Sequence, residues 1–162
     1  MNYCAVTIGK QIRDIIKTSH AASLGLAICA FGSLTTLPKQ PLEPSIPAVF
    51  VAVRNVPSDE QTIATASSHV RVKYNYDILY LRPFAEDEES YAEAIDDAEG
   101  IAETLMGDRK LSGLKPTNAS IVNSGVTQIS YDEGTTRFFN DVIKLRCDVV
   151  IIGFVVDVQA VR

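Results

Sequence analysis

The sequence predicts an α+β domain: a roughly four-stranded antiparallel or mixed sheet with two helices packed on one face. Three observations predict it. Near the N-terminus Ile8, Ile12, Ile15 and Ile16 fall at i, i+4, i+7 and i+8, the spacing of one helix face. In mid-chain Val70, Val72, Tyr74, Tyr76, Ile78 and Tyr80 occupy every second position, the period of a strand with one packed face. A second helical stripe begins directly after that strand. With 162 residues, 46% hydrophobic and 22% charged, the chain (1–162) suits a single domain with a real core.

The first helix is expected over residues 7–19, with Lys10, Arg13, Asp14 and Lys17 on the face opposite the isoleucines. Residues 21–34 are apolar but contain Gly25 and Gly32, which discourage a long helix. That stretch fits part of a strand or a packed turn. The eleven residues of the apolar run from Ala21 to Phe31 are too few to span a bilayer as a helix, and Asp14 among the preceding basic residues departs from an export signal, so no membrane role is expected.

Residues 37–47 carry Pro38, Pro41, Pro44 and Pro47, one proline every third residue. That period matches polyproline II. The plain reading is a stiff connector, and the other is a docking peptide for a partner. The run Ala48-Val49-Phe50-Val51-Ala52-Val53 reads as a strand buried on both faces. Residues 55–68 form a polar loop, long for a compact domain, which makes Val56, Pro57, Ser58, Asp59, Glu60, Gln61 and Thr62 the candidate partner-contact segment. The alternating strand follows. Arg71, Lys73, Asn75 and Asp77 begin its second face, Leu79 and Leu81 turn that face apolar, and Pro83 ends the ladder.

The second helix is expected over residues 88–106. Ser90 and Glu93 suggest a capping box, Gly107 a C-terminal stop, and Tyr91, Ala94, Ile95, Ala98, Ile101, Ala102 and Leu105 a narrow apolar stripe. Ten of the chain's 20 acidic residues lie between Glu86 and Asp108, with no Lys or Arg among them. The rest of the chain carries all 15 basic residues against 10 acidic ones. Such segregation suits a subunit that meets neighbours in one orientation. The acidic face comprises Glu89, Glu93, Asp96, Asp97 and Glu103.

Residues 119–130 read as a third strand with a bulge at Ser124-Gly125, and residues 131–135 as a turn. Residues 137–156 read as one long final strand. From Val149 onward both of its faces are apolar, so Val150, Ile152, Phe154 and Val156 are expected to be covered by a neighbouring subunit.

Chemistry is sparse. Glu89, Glu93, Asp96 and Glu103 can fall near one helix face, but the only histidines, His20 and His69, lie far from that helix in sequence, and no calcium-loop spacing occurs. Cys4, Cys29 and Cys147 form neither a zinc set nor a disulfide framework. There is no nucleophile elbow and no phosphate-binding glycine loop. No basic stripe with interleaved aromatics supports sequence-specific nucleic-acid binding, and the net charge is −5. No catalytic residue, cofactor or metal is expected. A small enzyme or ligand-binding domain would have to build its pocket from dispersed residues, with His69, Tyr74, Tyr76, Tyr80 and acids of the second helix as candidates.

The order of elements resembles the tail-terminator (tail-completion) proteins of long-tailed bacteriophages. The residues that carry the resemblance are Ile12-Arg13-Asp14-Ile15-Ile16, Ile46-Pro47-Ala48-Val49-Phe50-Val51, the strand at 70–81, Ser90-Tyr91-Ala92-Glu93-Ala94 and the closing hydrophobic strand. Residues 21–40 fit least well. The resemblance implies a structural virion protein that closes into a ring of six and caps the finished tail tube. Its partners would be the tail tube protein and the head-side connector or stopper, with DNA passing through the ring. It would be located in the tail or neck of the virion, and in the host cytoplasm during assembly. Another neck, head-completion or baseplate component is the alternative of the same class.

Overall fold

A computed structural model describes residues 4–32, 46–55, 61–62, 70–83, 85, 87–113, 120–132, 135–138, 141–144 and 149–161. The chain is α+β: two helices lie on one face of a mixed sheet. The strands are β1 (Ile28–Phe31), β2 (Ala48–Asn55), β3 (Gln61–Thr62), β4 (Val70–Pro83), β5 (Ser120–Asp132), β6 (Thr135–Phe138), β7 (Asp141–Lys144) and β8 (Val149–Val161). The helices are α1 (Cys4–His20) and α2 (Glu88–Gly107), followed by a single 3-10 turn, Leu111–Gly113. The sheet order is β1-β2-β4-β8-β5, with β3 added to the start of β4, so the sheet has more strands than the four expected. β1 runs parallel to β2, and the remaining pairs are antiparallel.

The three central strands hold the core because their registers put like faces opposite each other. Tyr80 pairs with Val49 on β2 and Ile152 on β8; Ile78 pairs with Val51 and Phe154; Tyr76 pairs with Val53 and Val156. The isoleucine face of α1 (Ile8, Ile12, Ile15, Ile16) and Ala94, Ala98, Ile101 and Leu105 of α2 close over them. The alanines matter here, since a short side chain lets α2 approach the sheet closely. Gly9 does the same for α1: a Cβ there would overlap the Phe31 ring of β1. A smaller cluster, Ala48, Phe50, Leu81 and Ile151, is buried on the opposite face, so β2 is buried on both sides as its sequence predicts. Further along that face the strands turn polar, and Arg54 bonds Asp77 while Asn75 bonds Asp157.

Several expectations are corrected. Val150, Ile152, Phe154 and Val156 face the chain's own helices at 1% exposure or less, so they belong to the monomer core and not to a subunit interface. Sequence showed an uncovered apolar face; the helices supply the cover. The single strand expected at 137–156 divides, because β6 and β7 pair with each other and only β8 joins the main sheet. A period of two runs through both arms of a hairpin and does not register the reversal between them. The loop expected at 55–68 contains β3, whose Gln61 and Thr62 pair with Arg71 and Val70. Ser124 and Gly125 stay in register with Val156 and Val155, and the irregularities fall on either side, at Ile121/Asn123 and Val126/Gln128. Val56 to Glu60, His69, Cys147 and residues 37–45 of the proline-rich segment lie outside the described residues.

Helix α2 begins one turn earlier in its capping than Ser90 suggested. Asp87 is the N-cap, with extended backbone, and its Oδ1 accepts from Ser90 N–H at 2.6 Å. Ser90 is buried instead, and its hydroxyl accepts from the N–H of Ala85. Asp outcompetes Ser here because it can sit outside the first turn while a carboxylate meets the positive helix end. Gly107 is the last helical residue, and Asp108 closes the helix by donating its N–H to Thr104 and Leu105.

Candidate functional site

The helix layer carries the features that bear on function. Helix α1 exposes Lys10 and Lys17, with Arg13 half-exposed and paired to its neighbour Asp14 at 2.7 Å. Helix α2 exposes Glu88, Glu89, Glu93, Asp96, Glu99 and Glu103. The two helices touch each other on the same side of the sheet, so the charge segregation of the sequence becomes a basic helix beside an acidic one. Among the described residues, Lys10, Lys17, Glu88, Glu89, Asp96, Glu99 and Glu103 form no ion pair.

Not all of the acidic face is free. Asp97 turns inward, where its Oδ2 accepts from Tyr80 Oη and from Arg82 Nη1, each at 2.8 Å. Glu93, one turn earlier, accepts from Arg82 Nη2 at 3.0 Å. The arrangement follows from the strand: Arg82 continues the inner face of β4 past Tyr80, to the point where the sheet emerges from beneath α2. Burial pushes the Tyr80 phenol well above its ordinary range, and the hydrogen bond to Asp97 adds to the shift. Burial works against the Arg82 charge, but the bond to Glu93 and the surrounding negative charge outweigh it and hold its pKa above the usual value. This network clamps helix to sheet. An open recess of about 370 Å³ beside it is lined by Arg82, Pro83, Ala85, Ser90 and Glu93, among others.

A second clamp joins the helices. His20 Nε2 lies 2.7 Å from Thr104 Oγ1, and the Thr104 hydroxyl donates to the Gly100 carbonyl at 2.9 Å. The threonine proton is thereby used, so the imidazole donates. Burial lowers the His20 pKa, opposed by a hydrogen bond with Gly100 and the charge of Asp97. Neither clamp was legible in sequence; Asp97 and His20 sit among polar neighbours that look alike in one dimension.

Of the dispersed residues of a ligand-pocket reading, Tyr80 meets the α2 acid Asp97, and His69 lies outside the described residues. Tyr76 and Tyr80 are buried with their hydroxyls engaged, Tyr76 donating to the Ala5 carbonyl at 2.6 Å, and Tyr74 is buried in the same core. Cys29 is a poor nucleophile: burial pushes its thiol up to about 11, and its Sγ donates to the Arg13 carbonyl. Among the described residues no three His, Cys, Asp or Glu side chains group to hold a metal ion, and no helix is long and apolar enough to cross a membrane. Compared with known proteins, the sequence matches no protein-family model and no curated protein.

Proposed function

We propose that this protein is a structural assembly component that joins copies of itself into a closed ring. The observation that carries the reading is the pair of neighbouring helices of opposite charge on which Lys10, Lys17, Glu88, Glu89, Asp96, Glu99 and Glu103 form no ion pair among the described residues. A folded chain that separates its charges this way presents two different, complementary surfaces. Contact between different surfaces of identical subunits is heterologous, and it closes into a ring when the rotation permits.

The place of that ring comes from the resemblance of element order. In this reading six subunits cap the tail tube of a long-tailed bacteriophage, end its polymerisation and form the joint to the head-side connector, leaving a passage for DNA. The protein acts as a scaffold and not as an enzyme. The segment from Val56 to Thr62 is the contact to tube or connector, with Gln61 and Thr62 anchored on β4 as β3. The test is mass in solution by light scattering, with negative-stain imaging of the protein alone and with tail tubes. Rings with a central hole and capped tubes of uniform length are expected. A strictly monomeric protein that joins no particle and turns over a small molecule overturns the reading.

A further inference from the structure

The two exposed large hydrophobic side chains among the described residues are Val6, 51% exposed, and Tyr91, 46% exposed. Each lies on one of the charged helices. Val6, Lys10, Arg13 and Lys17 recur at i, i+4, i+7 and i+11, a single stripe on the side of α1 away from its buried isoleucines. Tyr91 heads the flank of α2 that continues through the half-buried Ile95 and Ala102, and Glu88 and Glu99 border that flank. At about 1.5 Å rise per residue, the α1 stripe is roughly 17 Å long and the α2 flank from Glu88 to Glu103 roughly 22 Å. The α2 flank is longer than the α1 stripe by about one helical turn, so it can span the whole stripe, and each offers one apolar anchor beside charges, basic on α1 and acidic on α2.

We infer that the α2 flank of one copy docks against the α1 stripe of a second copy, with Tyr91 and Val6 at the contact and Glu88, Glu99 and Glu103 facing Lys10 and Lys17. Charge complementarity selects the occupant: Glu88, Glu99 and Glu103 of α2 and Lys10 and Lys17 of α1 form no ion pair among the described residues, and this chain carries both sets. An exposed tyrosine bordered by charge has the composition of an interface centre with a polar rim. The inference rests on the ring reading only for closure; the contact itself follows from the two helices.

The test uses two full-length variants, Lys10→Glu with Lys17→Glu, and Glu99→Lys with Glu103→Lys. All four positions are exposed, so circular dichroism should show both variants folded. In each variant alone the altered positions place like charges opposite each other, and sedimentation velocity should show self-association weakened by roughly tenfold or more. An equimolar mixture restores opposite charges at the altered positions of every interface between unlike copies, and it should regain particles with an even number of alternating subunits. Wild-type association should also be stronger at about 0.01 M salt, where screening acts over about 30 Å, than at about 1 M, where it acts over about 3 Å. Wild-type association in either variant alone, or a mixture that does not recover, overturns this interface while leaving a ring standing. A wild-type chain that stays monomeric at both salt concentrations overturns interface and ring together.

Discussion

Replacing Asp97 with alanine should destabilise the fold far more than replacing its neighbour Asp96, although both belong to the same acidic helix. Asp97 accepts two hydrogen bonds, from Tyr80 Oη and Arg82 Nη1. Tyr80 is 1% exposed, so without Asp97 its hydroxyl loses its acceptor at a largely buried position. An unsatisfied buried polar group costs about 1–3 kcal/mol. The Arg82 contact adds less, because the two side chains are 20% and 23% exposed and Glu93 still holds the guanidinium; about 0.5 kcal/mol is a fair figure after solvent screening. The total is about 1.5–3.5 kcal/mol, against about 0.5 kcal/mol or less for Asp96→Ala. Urea unfolding followed by circular dichroism measures both. Tyr80→Phe removes the orphaned donor, so the double variant Tyr80→Phe/Asp97→Ala should be more stable than additivity predicts, by about 1 kcal/mol. Equal losses for the two aspartates, or strict additivity in the cycle, would refute the clamp.

Two further outcomes follow from the packing. Gly9→Ala should cost about 1–3 kcal/mol by overpacking against Phe31 despite the better helix propensity of alanine, and in a Phe31→Ala background the same change should become stabilising; thermal unfolding of the four proteins decides. Stability should decline as pH falls below about 6.5, because burial disfavours the His20 imidazolium and the unfolded chain takes up that proton first. His20→Gln keeps a donor for Thr104 but cannot titrate, so its stability curve should be flatter over that window, and an unchanged slope would place the titration elsewhere.

Sequence by itself determined the elements whose patterns are local. Four isoleucines at helical spacing specified α1 and its buried side, and all four are in the core. The alternation from Val70 specified β4 and the inward face of Tyr74, Tyr76, Ile78 and Tyr80. The charge inventory was also complete in one dimension, down to the basic and acidic helices. Periodicity reports which side of an element is apolar, and it does so without knowing what lies against that side. For that reason Ile152 and Phe154 could be read as awaiting a neighbouring subunit when α1 and α2 cover them, and the hairpin of β6 and β7 could be read as part of one strand. Only the tertiary structure separated Asp97 from Asp96, because the difference is a tyrosine and an arginine seventeen and fifteen residues away in sequence. Side-chain identity, which the sequence supplies, sets a residue's charge. Whether that charge is a clamp or a free surface is decided by what the fold brings within hydrogen-bonding distance.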